Sequence, residues 1–156
     1  MHPVILETRT LTWPDEAACL ATAQHLARQP AIRHACIELE GNLGAGKTTF
    51  VRHLLRALGV TGRIKSPSYA IVEPYELPEL AAWHFDFYRF TDPREWEDAG
   101  FRELFSSPGL KLVEWPDKAR GMLPTPDLRL IITAQADTSR TLCLQACSPL
   151  GLTLLP

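Results

Sequence analysis

The sequence predicts a three-layer α/β fold with a mixed, partly antiparallel sheet and few flanking helices. Three observations predict it: a glycine-rich loop between a strand pattern and a helix pattern, a pair of aromatic and β-branched runs typical of a hairpin, and two further strand patterns in the last third. The length of 156 residues favours one domain over residues 1-156.

The glycine-rich loop is the stretch GNLGAGKT from Gly41 to Thr48, followed by Thr49. Its spacing matches the phosphate-loop (Walker A) pattern, in which glycines let the backbone approach a polyphosphate and successive N–H groups bind the anion. Lys47 supplies an ammonium group for the outer phosphates, and the Thr48 hydroxyl suits Mg²⁺. The loop therefore predicts a P-loop NTPase-like fold that binds a triphosphate with magnesium.

The residues around the loop support this interpretation. Ala35, Ile37 and Leu39 alternate with more polar residues, as in a strand. After the loop, one helical stripe is followed by Gly59, which is suited to a helix C-terminus. The simpler alternative is a glycine turn that only caps a helix. The stripe consists of Val51, Leu54, Leu55 and Leu58.

Before the loop, Val4 to Leu11 has the pattern of a first strand. Thr12, with Asp15 three residues later, resembles a capping box, and Pro14 suits a first helical turn. These signals predict a helix from Trp13 or Pro14 to about Arg28, which Pro30 would end.

After the loop and its helix, Val60 to Ser68 is predicted to be a connection, and Tyr69 to Tyr75 and Ala81 to Phe90 to form an antiparallel hairpin. In the second strand Trp83, Phe85 and Phe87 would point one way, and His84, Asp86 and Tyr88 the other. The remaining predictions are a short helix from Pro93 to Ala99 capped by Asp92, a turn at Phe101 to Phe105, a buried strand at Leu110 to Val113, and a hairpin of Leu128 to Ala134 with Thr141 to Ala146.

Two carboxylates could complete a magnesium site. Glu114 follows the buried run LKLV, the position of a Walker B acid, although it could also be a surface acid at a strand end. Asp86 lies within HFDFYR, where an unpaired acid would be costly, so a structural ion pair with Arg89 or Lys65 is nearly as good an interpretation.

Other residues are weaker candidates. Ser66 and Ser68 flank Pro67 in a loop that could approach the terminal phosphate, but hydroxyls are common in turns. Trp13 and Trp115 could stack on a base, although tryptophan more often belongs to the core.

Composition limits the classes of function. A formal net charge of −2 excludes a protein held on nucleic acid by bulk positive charge, although Gly41 to Val72 contains no Asp or Glu and suggests a local anion site. The four cysteines lack metal-site spacing and are expected to be buried free thiols. The sequence shows neither a secretory leader nor a membrane span, so a cytoplasmic protein is expected.

Four linked motifs resemble the TsaE (YjeE) family: GNLGAGKTTF, KSPSYAIVEPY from Lys65, HFDFYR from His84 and LVEWP from Leu112. The resemblance extends from about Thr12 to Pro126. It implies the P-loop ATPase of bacterial tRNA threonylcarbamoyladenosine biosynthesis, with ATP and Mg²⁺ as cofactors.

The resemblance also implies residue roles. Thr48 and Glu114 would hold magnesium, Asp86 would support the ion or the attacking water, and Lys47 would clamp the phosphates, so that Lys47, Asp86 and Glu114 form the catalytic set. Ser66 to Tyr69 would be a switch-like loop. The ATP-binding residues would be Asn42, Leu43, Gly44, Ala45, Gly46, Lys47, Thr48 and Thr49, with adenine near Thr12, Trp13 and Pro14, and Trp115 after the Walker B acid.

The partners implied are TsaB-like and TsaD-like proteins. The TsaD partner transfers the threonylcarbamoyl group, and weak ATPase activity, stimulated by the partners, would reset the assembly, with tRNA met through the complex. Two departures from the family pattern are Asn42 in place of Asp and Ser68 in place of Thr. A small-molecule P-loop kinase, suggested by the basic loop Arg63 to Lys65, and a non-catalytic nucleotide-dependent adaptor are the alternatives.

Overall fold

A computed structural model describes residues 4–67, 70–92, 94–98 and 100–156. Within them lies a seven-stranded mixed sheet. Its strands are β1 (Glu7–Trp13), β2 (Cys36–Glu40), β3 (Val72–Glu76), β4 (Ala81–Asp86), β5 (Leu110–Glu114), β6 (Leu128–Ala134) and β7 (Arg140–Ala146). In space their order is β1-β7-β6-β2-β5-β4-β3. The central strands β6, β2, β5 and β4 are parallel, and the strands at both edges pair antiparallel.

Helices cover both faces of this sheet. On one face, α1 (Glu16–Arg28) and α2 (Lys47–Leu58) pack on the larger hydrophobic cluster. On the other face, the short helices α3 (Arg94–Asp98) and α4 (Phe101–Ser106) belong to a second, aromatic cluster. The chain ends with α5 (Pro149–Leu152), and 3₁₀ turns span Pro30–His34 and Pro116–Ala119. The predicted α/β fold class with a mixed sheet and few helices is confirmed.

The loop is fixed between two well-buried elements. Strand β2 buries Ile37 and Leu39, and α2 buries Val51, Leu54 and Leu55, each of which stabilises the fold by about 1.5–3 kcal/mol. Gly59 ends α2 in the left-handed conformation, at φ 115°, as predicted. Because both elements are anchored in the core, the loop between β2 and α2 has a defined position.

The predicted start of the first helix is wrong. Thr12 is not a cap: it lies in β1 and pairs with Thr141 of β7. Asp15 caps α1 by accepting the Ala18 N–H at 3.0 Å, and the helix begins at Glu16. Thr12 and Asp15 are both good capping residues, and pairing with β7, which no local pattern encodes, extends the strand through Trp13.

Other boundaries differ more modestly. The first strand begins at Glu7 rather than Val4, and β3 and β4 are shorter than predicted because Ile71 has a φ of 68° and the chain turns after Asp86. Helix α5 and both 3₁₀ turns were not predicted. Asp92 does accept the Arg94 N–H at the start of α3, whereas Pro93, Ala99, Ser68 and Tyr69 lie outside the described residues.

The predictions for the cysteines are partly wrong. All four are free thiols, but only Cys19 is buried, and Cys36, Cys143 and Cys147 are half-buried. Burial raises the pKa of the Cys19 thiol to about 12, with a smaller contribution from the Glu16 charge, so that thiol is unreactive. No helix in the described part of the chain is both long and apolar enough to cross a bilayer.

Candidate functional site

The loop Gly41 to Thr49 has the backbone of an anion-binding turn. Gly41 has a φ of 150°, and a Cβ there would lie 2.6 Å from the Ile132 carbonyl oxygen. Gly46, at φ 114°, is the N-cap residue of α2 and has no side chain to cap the helix. The N–H groups of the first turn of α2, and the positive end of its dipole, therefore remain available for a ligand.

Gly41→Ala is expected to destabilise the fold by about 2 kcal/mol, because the new methyl group meets a backbone carbonyl and cannot move away. Urea unfolding measures this loss. Gly62→Ala is the matched control, since a Cβ at Gly62 meets nothing within 4 Å, and its effect is expected to stay within about 0.5 kcal/mol. Equal unfolding midpoints for the two variants would contradict the packing argument at Gly41.

Lys47, the first residue of α2, is 5% exposed. Its ammonium group donates a hydrogen bond to the Gly41 carbonyl, and Nζ lies 3.8 Å from the centroid of the Trp115 ring. Burial lowers the pKa of Lys47, and the nearby charges of Glu114 and Asp86 act in the opposite direction. Lys47 is therefore held in place by a carbonyl and an aromatic face, and the charges of two carboxylates act on it.

Glu114 lies at the carboxyl end of β5 and is 2% exposed. The Thr48 hydroxyl donates to its carboxylate, with Oγ1 at 3.0 Å from Oε1 and 3.2 Å from Oε2. His84 Nε2 lies 2.6 Å from Oε2. The surface-acid alternative for Glu114 is therefore wrong, since the carboxylate is buried against the loop.

Asp86 is the register partner of Glu114 across β4 and β5. Burial raises the pKa of Asp86, while the hydrogen bond from the Tyr88 N–H, 3.0 Å long, acts against that rise. The lysine whose charge acts on Asp86 is Lys47, not Lys65. The sheet therefore brings the two candidate acids and the two loop residues Lys47 and Thr48 together.

These donors fit a nucleotide-bound magnesium ion. Mg²⁺ commonly takes one or two carboxylates plus phosphate and water oxygens, rather than a cage made by the protein alone. Thr48 and Glu114 offer such oxygens side by side, with Asp86 on the neighbouring strand. In the described ranges, no cluster of three or more His, Cys, Asp or Glu residues could hold a metal ion.

Two cavities, each of about 230 Å³, meet at Gly46 and Thr49. The phosphate-side cavity is lined by Leu43, Gly44, Gly46, Lys47, Thr48, Thr49, Asp86, Tyr88, Glu114 and Trp115. The base-side cavity is lined by Trp13, Asp15, Glu16, Cys19, Ala45, Gly46, Thr49, Thr138 and Arg140. Both cavities therefore lie at the start of α2, where Gly46 and Thr49 line each of them.

The structure separates the candidates for adenine contact. Trp13 lines the base-side cavity, but its indole also stacks on Phe50 and donates to Thr22, as a core residue does. Thr12 and Pro14 are exposed and lie outside that cavity. Trp115 lines the phosphate-side cavity instead, and the neighbour of its ring is the Lys47 ammonium group.

The other predicted loop residues differ in their exposure. Asn42 and Leu43 are exposed at the tip of the loop, and Asn42 accepts the Ala45 N–H through its backbone carbonyl. Ser66 is exposed and Pro67 is buried. The remainder of the predicted switch-like loop, Ser68 and Tyr69, is among the residues that the structure does not describe.

Sequence reasoning missed two contributions. Arg140 lines the base-side cavity, and its Nε donates to the Ala45 carbonyl at 2.9 Å; Thr138 lies beside it. No local pattern indicates a contact between residues 95 positions apart. His84 had a signal, because strand alternation places it on the same face as Asp86, but no pattern in the sequence pairs it with Glu114.

Known proteins are similar to this chain over most of its length. The family model described as "Threonylcarbamoyl adenosine biosynthesis protein TsaE" matches residues 13–142. The chain is 37% identical over 150 residues to the Haemophilus influenzae "tRNA threonylcarbamoyladenosine biosynthesis protein TsaE", covering 94% of each chain. It is 35% identical over 141 residues to the Bacillus subtilis protein of the same name, covering 90% of this chain and 85% of the other.

A solved structure agrees with these relatives. The crystal structure of Bacillus subtilis YdiB superposes with a TM-score of 0.75 at 30% sequence identity, covering 95% of this chain and 93% of that one. The residues that the family model matches, 13–142, include the loop, both candidate acids and strands β2 to β6. This chain therefore belongs to the TsaE family of threonylcarbamoyl adenosine biosynthesis proteins.

Proposed function

We propose that this chain binds ATP with magnesium and hydrolyses it in the service of tRNA threonylcarbamoyladenosine biosynthesis. The observation that carries the proposal is the contact between the Thr48 hydroxyl, at the start of α2, and the buried Glu114 carboxylate, at the end of β5. A phosphate loop with an acid of this kind beside it is the arrangement that P-loop NTPases use.

Each residue has a role in the proposed site. The loop N–H groups and Lys47 bind the phosphates, and Thr48 and Glu114 hold the magnesium ion, which neutralises charge on the phosphates. Asp86 holds the ion through water or orients the attacking water. The base lies towards Trp13 and Arg140, in the cavity that adjoins Gly46 and Thr49.

The proposed partners are TsaB-like and TsaD-like proteins, and hydrolysis resets the complex that they form. Two apolar side chains at the rim of the phosphate-side cavity support docking there: Leu43 is 67% exposed and Tyr88 42% exposed. The chain acts as a single cytoplasmic ATPase domain over residues 1-156, and tRNA is met through the complex rather than by this chain directly.

Phosphate release is the measurement that tests this function. The purified chain is assayed with ATP and magnesium alone, with a TsaB-like protein, with a TsaD-like protein, with both, and with both plus tRNA. We expect slow release alone and at least about tenfold faster release with both partners, a change of ~1.4 kcal/mol in barrier height. The partners assayed without this chain are the control.

Other outcomes would change the assignment. No release in any mixture, combined with complex formation that needs ATP, would favour a nucleotide-dependent adaptor. Transfer of labelled phosphate to a metabolite would favour a small-molecule kinase. The proposal would be rejected if the chain neither bound ATP nor was stimulated by the two partners.

A further inference from the structure

We propose that His84 is a positioning residue, which holds the Glu114 carboxylate in the orientation that lets it act on magnesium beside Thr48. This inference rests on the proposed function, since it assigns a role within the same site. The inference goes beyond the proposed function because His84 would touch neither nucleotide nor metal. It would act only through Glu114.

The sheet places His84 behind the carboxylate. In the register of β4 and β5, His84 lies opposite Leu112 and Asp86 lies opposite Glu114. His84 is therefore two residues further than Asp86 from the carboxyl end of β4. Its side chain is 1% exposed, whereas Asp86 is half-buried and lines the phosphate-side cavity. His84 therefore approaches Glu114 from the interior and leaves the cavity side of the carboxylate free.

Both carboxylate oxygens have a contact. His84 Nε2 lies 2.6 Å from Oε2, and the Thr48 hydroxyl lies 3.0 Å from Oε1 and 3.2 Å from Oε2. Because a carboxylate accepts hydrogen bonds, the proton of this short contact belongs to Nε2. Both oxygens are thus anchored, and the plane of the carboxylate is fixed.

The second ring nitrogen supports the same assignment. His84 Nδ1 is buried, and no described residue forms a hydrogen bond with it. A proton on that nitrogen would be an unsatisfied buried donor, so the tautomer with its proton on Nε2 is favoured. A histidine that only filled space would not need its buried N–H to lie against the Glu114 carboxylate.

Groups that orient a metal ligand in this way commonly change metal affinity by about 10–100-fold when they are removed. His84→Leu removes the donor and puts an apolar side chain of moderate size in its place. His84→Gln retains an amide N–H at nearly the place of Nε2. The pair therefore separates loss of the hydrogen bond from loss of the ring.

The test measures binding of a fluorescent ATP analogue to the full chain while MgCl₂ is titrated, and it measures urea unfolding of each variant. For His84→Leu we expect the half-saturating magnesium concentration to rise about tenfold or more, while affinity in EDTA stays within about twofold of wild type. His84→Gln is expected to recover most of the magnesium effect. His34→Leu, at an exposed histidine in the 3₁₀ turn Pro30–His34, is the control and is expected to match wild type.

The outcomes distinguish this inference from the proposed function. Wild-type affinity that does not depend on magnesium would overturn both. If wild type is magnesium-dependent, a wild-type titration for His84→Leu, or equal loss in His84→Leu and His84→Gln, would overturn the role of His84 alone. If His84→Leu does not fold, His84→Asn replaces it, since its amide nitrogen lies at the place of Nδ1. Equal magnesium titrations for His84→Asn and His84→Gln would then overturn the assignment.

Discussion

Lys47→Ala is expected to lower ATP affinity about 100-fold, or ~2.7 kcal/mol, and to bring hydrolysis to background. The ammonium group is already desolvated and held between the Gly41 carbonyl and the Trp115 ring, so little ordering remains to be done when phosphates arrive. Without it, Glu114 and Asp86 lose the cation whose charge acts on both. In the proposed site Lys47 contacts the phosphates directly and not through the magnesium ion, so the loss should be nearly the same in magnesium and in EDTA.

Lys111 provides a matched control for this experiment. It is 6% exposed, its ammonium group donates to the Ser107 carbonyl, and Nζ lies 5.3 Å from the centroid of the Trp83 ring. Strand alternation along β5 places it on the opposite face from Glu114. Lys111→Ala should therefore destabilise the fold without changing ATP affinity. Equal ATP affinity in Lys47→Ala and wild type, measured by calorimetry, would remove Lys47 from the site.

Local patterns were enough to predict the elements whose cause is local. The helical stripe of α2 and the Gly59 that ends it are both encoded within one short stretch of sequence, and the structure has both. The strand β6 has the predicted bounds, Leu128–Ala134, because an apolar run there is bounded by turn residues. The predicted start of α1 is wrong because Thr12 and Asp15 are both suited to the N-cap position. Pairing with a strand more than a hundred residues away decides between them.

The site shows the same division between local and long-range information. Gly41 to Thr49 could be identified from spacing alone, because its chemistry is carried by consecutive backbone groups. That Glu114 meets Thr48, and that His84 supports it, depends on β5 lying between β2 and β4. The approach of Arg140 to Ala45 likewise requires β7 to lie beyond β6 in the sheet. Strand order is a global property, so periodicity cannot supply it.

Glu114→Gln is expected to reduce turnover about 100-fold while ATP affinity in EDTA stays within a few-fold of wild type. The amide keeps the size of the side chain and can still accept a hydrogen bond from Thr48 or His84 through its one oxygen, so the fold should persist. It lacks the negative charge that a magnesium ion shared with phosphates favours in its protein ligand. Single-turnover phosphate release and a magnesium titration measure the two effects separately.

Glu38→Gln is the matched control for this experiment, because it neutralises a buried carboxylate outside the candidate site. Glu38 is also buried, at 1% exposure, but it lies in β2, with Arg129 Nη2 at 3.5 Å and Arg120 Nη1 at 3.8 Å from its Oε1. Burial raises the pKa of Glu38 against the pull of these two guanidinium groups, so neutralising it should alter stability and leave the magnesium titration unchanged. A general effect of removing a buried carboxylate would appear in both variants, whereas a metal ligand predicts loss of turnover in Glu114→Gln alone. Wild-type turnover in Glu114→Gln would show that the ion is held elsewhere.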